Sequence, residues 1–193
     1  MSKERLQAFT DAVLAIIMTI LVLELDRPET MSFEGFWALR ASFFSYALSF
    51  FWLGAMWVTN HNEWHFVRKI QPSTVWWTIL MLFFSSLFPY TTSLVDTHFN
   101  NAFAQGFYGI VVLLVTFANV MLSQSLVKAD PDNEQLAQGG LLGLGGIWFD
   151  VAIKVAGFII TVTLFAPAMM LAVLLTMIVF VIPAHISMAK RNY

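Results

Sequence analysis

The chain has 193 residues, a formal net charge of −2 and no cysteine, and its composition is 59% apolar but only 11% charged. Soluble domains carry about 25% charged residues, so a mean hydropathy of +0.73 leaves too little charge to wet an ordinary surface and makes lipid the expected solvent. Without cysteine there is no disulfide, thiolate metal site or thiol nucleophile, and no basic run speaks for nucleic acid.

A spanning helix needs about 20 apolar residues. Gaps in the charge pattern predict six such spans with short connections, an all-α polytopic membrane protein forming one domain over residues 1–193. The first span, residues 6–25, ends before Asp26-Arg27-Pro28, where proline cannot continue a helix. It leads into Glu24-Leu25-Asp26 and not into a small-residue cleavage site, so it reads as a retained span. The second, residues 36–66, is long enough to project beyond the bilayer and ends near Arg68-Lys69. The third, residues 73–95, contains no charge.

The fourth span covers residues 102–127 and leads into a polar loop, residues 128–138, with Pro131 and three acids. The fifth and sixth, residues 141–165 and 168–189, meet at Ala166-Pro167. Pro89, Pro167 and Pro183 read as kinks or helix ends, with broken-helix substrate sites as the sharper alternative. Gly139-Gly140, Gly143 and Gly145-Gly146 fit close helix packing or a re-entrant loop.

Six spans put Lys3/Arg5, Arg68/Lys69, Lys128 and Lys190/Arg191 on one side, which the positive-inside rule makes cytoplasmic together with both termini. The opposite loops carry Asp26, Glu29 and Glu34, then Asp96 and His98. Two cations fall inside spans. Arg40 is expected to snorkel outward, and Lys154 to pair with Asp150 one turn away.

Ionisable residues inside a membrane are costly and mark functional hypotheses. Asp11, about two turns into the first span, needs a donor. Trp57, Asn60 and His61 near the end of the second span can supply one, and Trp57, His61 and His65 share a helical face. Two readings remain: a polar clamp joining the two helices, or a proton relay or ion ligand. Glu63 and His65 read as facing water.

Beyond Asp11, residues Ile16, Thr19 and Leu23 fall within roughly 60° of one another at 100° per residue, with Asp11 on another face. That stripe fits either packing or a pore lining. The four histidines form no His-Glu-x-x-His motif, and no G-x-S-x-G, Walker A, G-x-G-x-x-G or Thr-Val-Gly-Tyr-Gly motif is present. No enzyme is expected.

The stretch Arg5-x-x-x-Phe9-Thr10-Asp11 resembles the R-x-x-x-F-S-D signature of the transmembrane protein 175 family of potassium channels. The apolar helix ending Val22-Leu23-Glu24-Leu25, the Trp57/Asn60/His61 cluster and the third-span ending Phe88-Pro89-Tyr90-Thr91-Thr92 are also similar to the family. A single six-helix unit is the bacterial form, whereas the animal protein holds two. Thr10 keeps the hydroxyl of the signature serine. The Trp57-to-His61 spacing is wider than the family's, which leaves the partners of Asp11 open.

The resemblance implies a homotetramer in a bacterial inner membrane, with potassium as the permeant ion and no cofactor. The first span of each subunit would line a central pore. Counted from the signature aspartate, Ile16 and Leu23 would form hydrophobic constrictions and Thr19 a hydroxyl layer, with modest selectivity over sodium. The alternative is a proton-coupled secondary transporter using Asp11 and His61.

Overall fold

The computed structural model describes residues 2–139 and 146–181, and every regular element among them is helical. Helix α1, Lys3–Leu21, is capped by the Ser2 hydroxyl and tightens into a 3-10 turn over Val22–Glu24. Its buried residues, Leu6, Thr10, Leu14, Ile17 and Leu21, recur every three or four positions. They form one inward stripe, flanked by half-buried Val13 and Met18, and the opposite side of α1 is open to the outside of the subunit.

The second predicted span is two helices, α2 (Phe33–Ala38) and α3 (Arg40–Phe66), divided at Leu39. Ser32 caps α2, and the Arg40 guanidinium donates to the Trp37 carbonyl at 3.1 Å and lies over the Trp37 ring. The third span is also interrupted. Helix α4 (Pro72–Ser85) starts in a Gln71/Thr74 capping box, and α5 (Phe88–Thr97) carries Pro89 in its first turn. Proline lacks an N–H and clashes with the preceding turn, so the break at Ser86-Leu87 is where the sequence places it.

Helix α6, Ala102–Ala129, is capped by Asn101 and forms the centre of the bundle, packing on α4, α5 and α8. The polar loop expected over residues 128–138 contains a short helix α7, Glu134–Gly139. The Asn133 side chain starts it by accepting from Leu136 N and fastens it to α3 through the Phe66 carbonyl. Helix α8 (Ile147–Thr163) and α9 (Ala168–Thr176) form a tight hairpin, and α9 widens into a π turn over Met177–Val181. The predicted stretches 140–145 and 182–189, with His185, Pro183, Lys190 and Arg191, lie outside the described residues.

Among the described residues four stretches are long and apolar enough to cross a membrane: Lys3–Glu24, Arg40–Phe66, Pro72–Thr97 and Ala102–Ala129. The α8–α9 hairpin lies where the fifth and sixth spans are expected, with a shorter apolar helix over Ala168–Val179. The chain is therefore an all-α integral membrane protein, as its composition predicts.

The two ends of the bundle differ in charge. At the basic end Lys3 Nζ donates to the Val67 carbonyl at 2.7 Å, and Lys69 lies 3.5 Å from Asp130. At the acidic end the 3-10 turn with Glu24 packs on α5 beside Asp96. Burial is uneven among the long helices. Of the most apolar stretch of α6, 61% is buried inside the subunit, against 28% for the first helix.

Candidate functional site

The first helix carries both features singled out in the sequence. On one side Asp11, half-buried, accepts a hydrogen bond of 2.7 Å from Trp57 Nε1 of α3. Of the three candidate donors only Trp57 reaches it in the described contacts. Asn60 is buried and turns its amide to Met81 Sδ on α4 at 3.5 Å. His61 is exposed and its ring is tilted against that of Trp57 with centroids 5.4 Å apart, and His65 follows 5.6 Å from His61. The hydrogen bond from Trp57 to Asp11 ties α1 to α3.

The neighbouring signature residues divide by face. Thr10 is buried and its hydroxyl donates to the Leu6 carbonyl at 2.9 Å, while Arg5 and Phe9 are exposed near the basic end. The Thr10 hydroxyl thus satisfies itself on its own helix, and a serine or threonine serves equally well.

On the outer flank of α1 Ile16 is 58% exposed and Thr19 is exposed, and Leu23, in the 3-10 turn that follows, is 77% exposed. The Thr19 hydroxyl donates to the Ile16 carbonyl at 2.8 Å. Its proton is thereby committed to the helix, and the oxygen lone pairs point away from it. The stripe therefore offers two aliphatic levels with one oxygen acceptor level between them, all outside the subunit core.

Inside the subunit, polar residues line up on two helices. Helix α3 buries Ser42, Ser45, Ser49, Trp52, Met56, Asn60 and Glu63 at three- and four-residue intervals, and α6 buries Gln105, Tyr108, Thr116, Asn119 and Ser123. Near the acidic end Ser45 Oγ donates to Asp96, and Ser49 bridges Thr92 at 2.9 Å and Tyr108 at 3.2 Å. Midway along, Lys154 Nζ meets Asp150 at 2.6 Å and Thr116 Oγ1 at 3.3 Å, over the Trp52 ring.

Toward the basic end Ser123 Oγ donates to Glu63. Glu63 is therefore not a water-facing residue, as its place near a helix end suggests, but a buried tie between α3 and α6. Polar contacts of this kind hold helices together in lipid, where apolar burial distinguishes nothing. Sequence reasoning found the Lys154–Asp150 pair and missed the rest. Its signal was the recurrence of small polar residues along α3 and α6.

Residues 5–89 match the family described as the endosomal/lysosomal potassium channel TMEM175. A potassium channel of Chryseobacterium sp. (strain P1-3) is 36% identical over 140 residues, 72% of each chain. A potassium channel of Streptomyces collinus is 29% identical over 126 residues, covering 63% of this chain and 61% of that one. The crystal structure of a lysosomal potassium-selective channel TMEM175 homolog from Chamaesiphon minutus superposes with a TM-score of 0.66, covering 94% of this chain and 97% of its own at 22% identity. That last likeness concerns the fold.

Proposed function

The chain belongs to the TMEM175 family of potassium channels, and from that membership we propose that it conducts potassium, with modest preference over sodium, through a central pore lined by α1. The family is one of channels and not of enzymes. The proposed unit is a single membrane domain over residues 1–193, assembled as a homotetramer in a bacterial inner membrane with both termini cytoplasmic. The basic cluster of Lys3, Arg68, Lys69 and Lys128 at one end supports that orientation.

The observation that carries the pore reading is the exposed stripe of Ile16, Thr19 and Leu23 on the side of α1 that its own subunit leaves uncovered. Four copies around an axis would stack rings of Ile16 and Leu23, narrow and dry enough to gate by dewetting. The Thr19 ring would lie between them, its oxygens replacing part of an ion's water. Potassium holds its hydration less tightly than sodium and loses less on entering. Glu24 and Asp26 would concentrate cations at the acidic mouth.

The polar clamp of Asp11 and Trp57 would set the tilt of α1 and hence the pore radius. Reconstituted protein should show unitary current steps and a reversal potential that shifts toward potassium when sodium is exchanged on one side. Ile16→Asn and Leu23→Ala should alter conductance. Saturable, step-free flux would point instead to a coupled transporter, and unchanged current in both variants would remove Ile16 and Leu23 from the pore.

A further inference from the structure

The channel reading uses Trp57 and leaves His61 and His65 without a task. Both histidines are exposed, lie one turn apart on the same face of α3, and have ring centroids 5.6 Å apart with planes at 52°. A stacked aromatic column would explain the spacing of the rings but not the choice of two imidazoles.

We propose that His61 and His65 form a binding site for a divalent transition metal of the zinc type, beside the Asp11–Trp57 clamp. Imidazole nitrogens bind zinc at about 2.0–2.1 Å in roughly tetrahedral geometry. Two rings sharing one ion then have their centroids about 5–5.5 Å apart. The observed separation is within a few tenths of an ångström of that arrangement, so side-chain rotation suffices and α3 need not bend.

Histidines four apart on a helix are a recurrent zinc-binding pair because both point off the same face. Imidazole also discriminates. It suits zinc, copper and nickel, whereas magnesium, calcium and the permeant potassium prefer oxygen. No cluster of three or more potential ligands occurs among the described residues, so water would complete the coordination shell and the site would be open and exchangeable.

The location gives the site a built-in reporter. The Trp57 ring lies 5.4 Å from His61 and its N–H holds Asp11 of α1 at 2.7 Å. A metal on the two histidines fixes the His61 ring that packs against the Trp57 indole. Copper or nickel there would quench that fluorophore at contact distance.

The test uses the purified full chain and direct binding, so its result is independent of whether α1 lines a pore. Zinc titrated by calorimetry should bind the wild type at least tenfold more tightly than His61→Ala or His65→Ala, and His98→Ala should bind as the wild type does. Nickel should quench the wild type more than Trp57→Phe. In unaltered protein, saturating zinc should protect both histidines from carbethoxylation mapped by mass spectrometry, which removes any dependence on variant folding. Equal affinity in the His61→Ala/His65→Ala double variant, loss of binding in His98→Ala, or unprotected histidines at saturation would each overturn the site.

Discussion

Trp57 Nε1 and Asp11 Oδ1 are joined at 2.7 Å, and this contact ties the first helix to α3 two turns above the basic end. Trp57→Phe keeps the ring and removes the donor, leaving a half-buried carboxylate short of its partner. The expected cost is about 1–3 kcal/mol, read as a lower melting temperature by fluorescence-detected size exclusion. Asp11→Asn retains an acceptor oxygen and should fall between the wild type and Asp11→Ala. Equal losses for Asn and Ala would mean that the contact does not hold α1.

Lys154 is only 5% exposed, and its partner Asp150 is 13% exposed. Removing one member leaves a buried charge unpaired, which costs about 3–5 kcal/mol. Asp150→Asn should therefore destabilise the protein severely. Replacing both, as Lys154→Met with Asp150→Leu, should restore stability to near the wild-type value, because a packed apolar pair avoids the desolvation penalty. Failure of the double variant to recover would show that Thr116 and Trp52 need the ammonium for their own placement.

Gly157 sits where α8 crosses α9, and a Cβ built on it collides with Ala172 Cβ. In an isolated helix alanine is favoured over glycine by about 1 kcal/mol. Here the collision outweighs that gain, since overpacking costs about 1–3 kcal/mol. Gly157→Ala should lower the melting temperature, and Ala172→Gly in the same chain should recover part of the loss. A stabilised single variant would show that the hairpin can open without penalty.

Much of this architecture was legible because lipid imposes a simple rule. Uncharged stretches of spanning length must be helices, and charge gaps locate α1, α3, α4 with α5, and α6 to within a few residues. Pro89 marks the break at Ser86-Leu87, whereas the break at Leu39 and the short helix α7 were less visible, being decided locally. The site was legible by halves. Asp11 stood out because a carboxylate inside a span demands a donor, yet Trp57, Asn60 and His61 are close in sequence. Only packing decides that Asn60 turns inward to Met81 while Trp57 reaches α1. Glu63 misled for the converse reason: a charge near a helix end reads as solvated unless the facing Ser123, sixty residues away, is known.

Thr19 offers the sharpest test of the proposed pore. Valine matches threonine in shape and in its stiff β-branched side chain, so Thr19→Val should preserve the helix and the radius while deleting the outward oxygen. Current should persist, and the potassium-to-sodium permeability ratio, from bi-ionic reversal potentials, should fall toward one. Thr19→Ser restores the oxygen with one methyl fewer and should keep most of the preference. The hydroxyl proton already goes to the Ile16 carbonyl at 2.8 Å, so the effect isolates the lone pairs. An unchanged ratio in Thr19→Val would place selectivity elsewhere, and a silent channel would mean that the oxygen serves conduction itself.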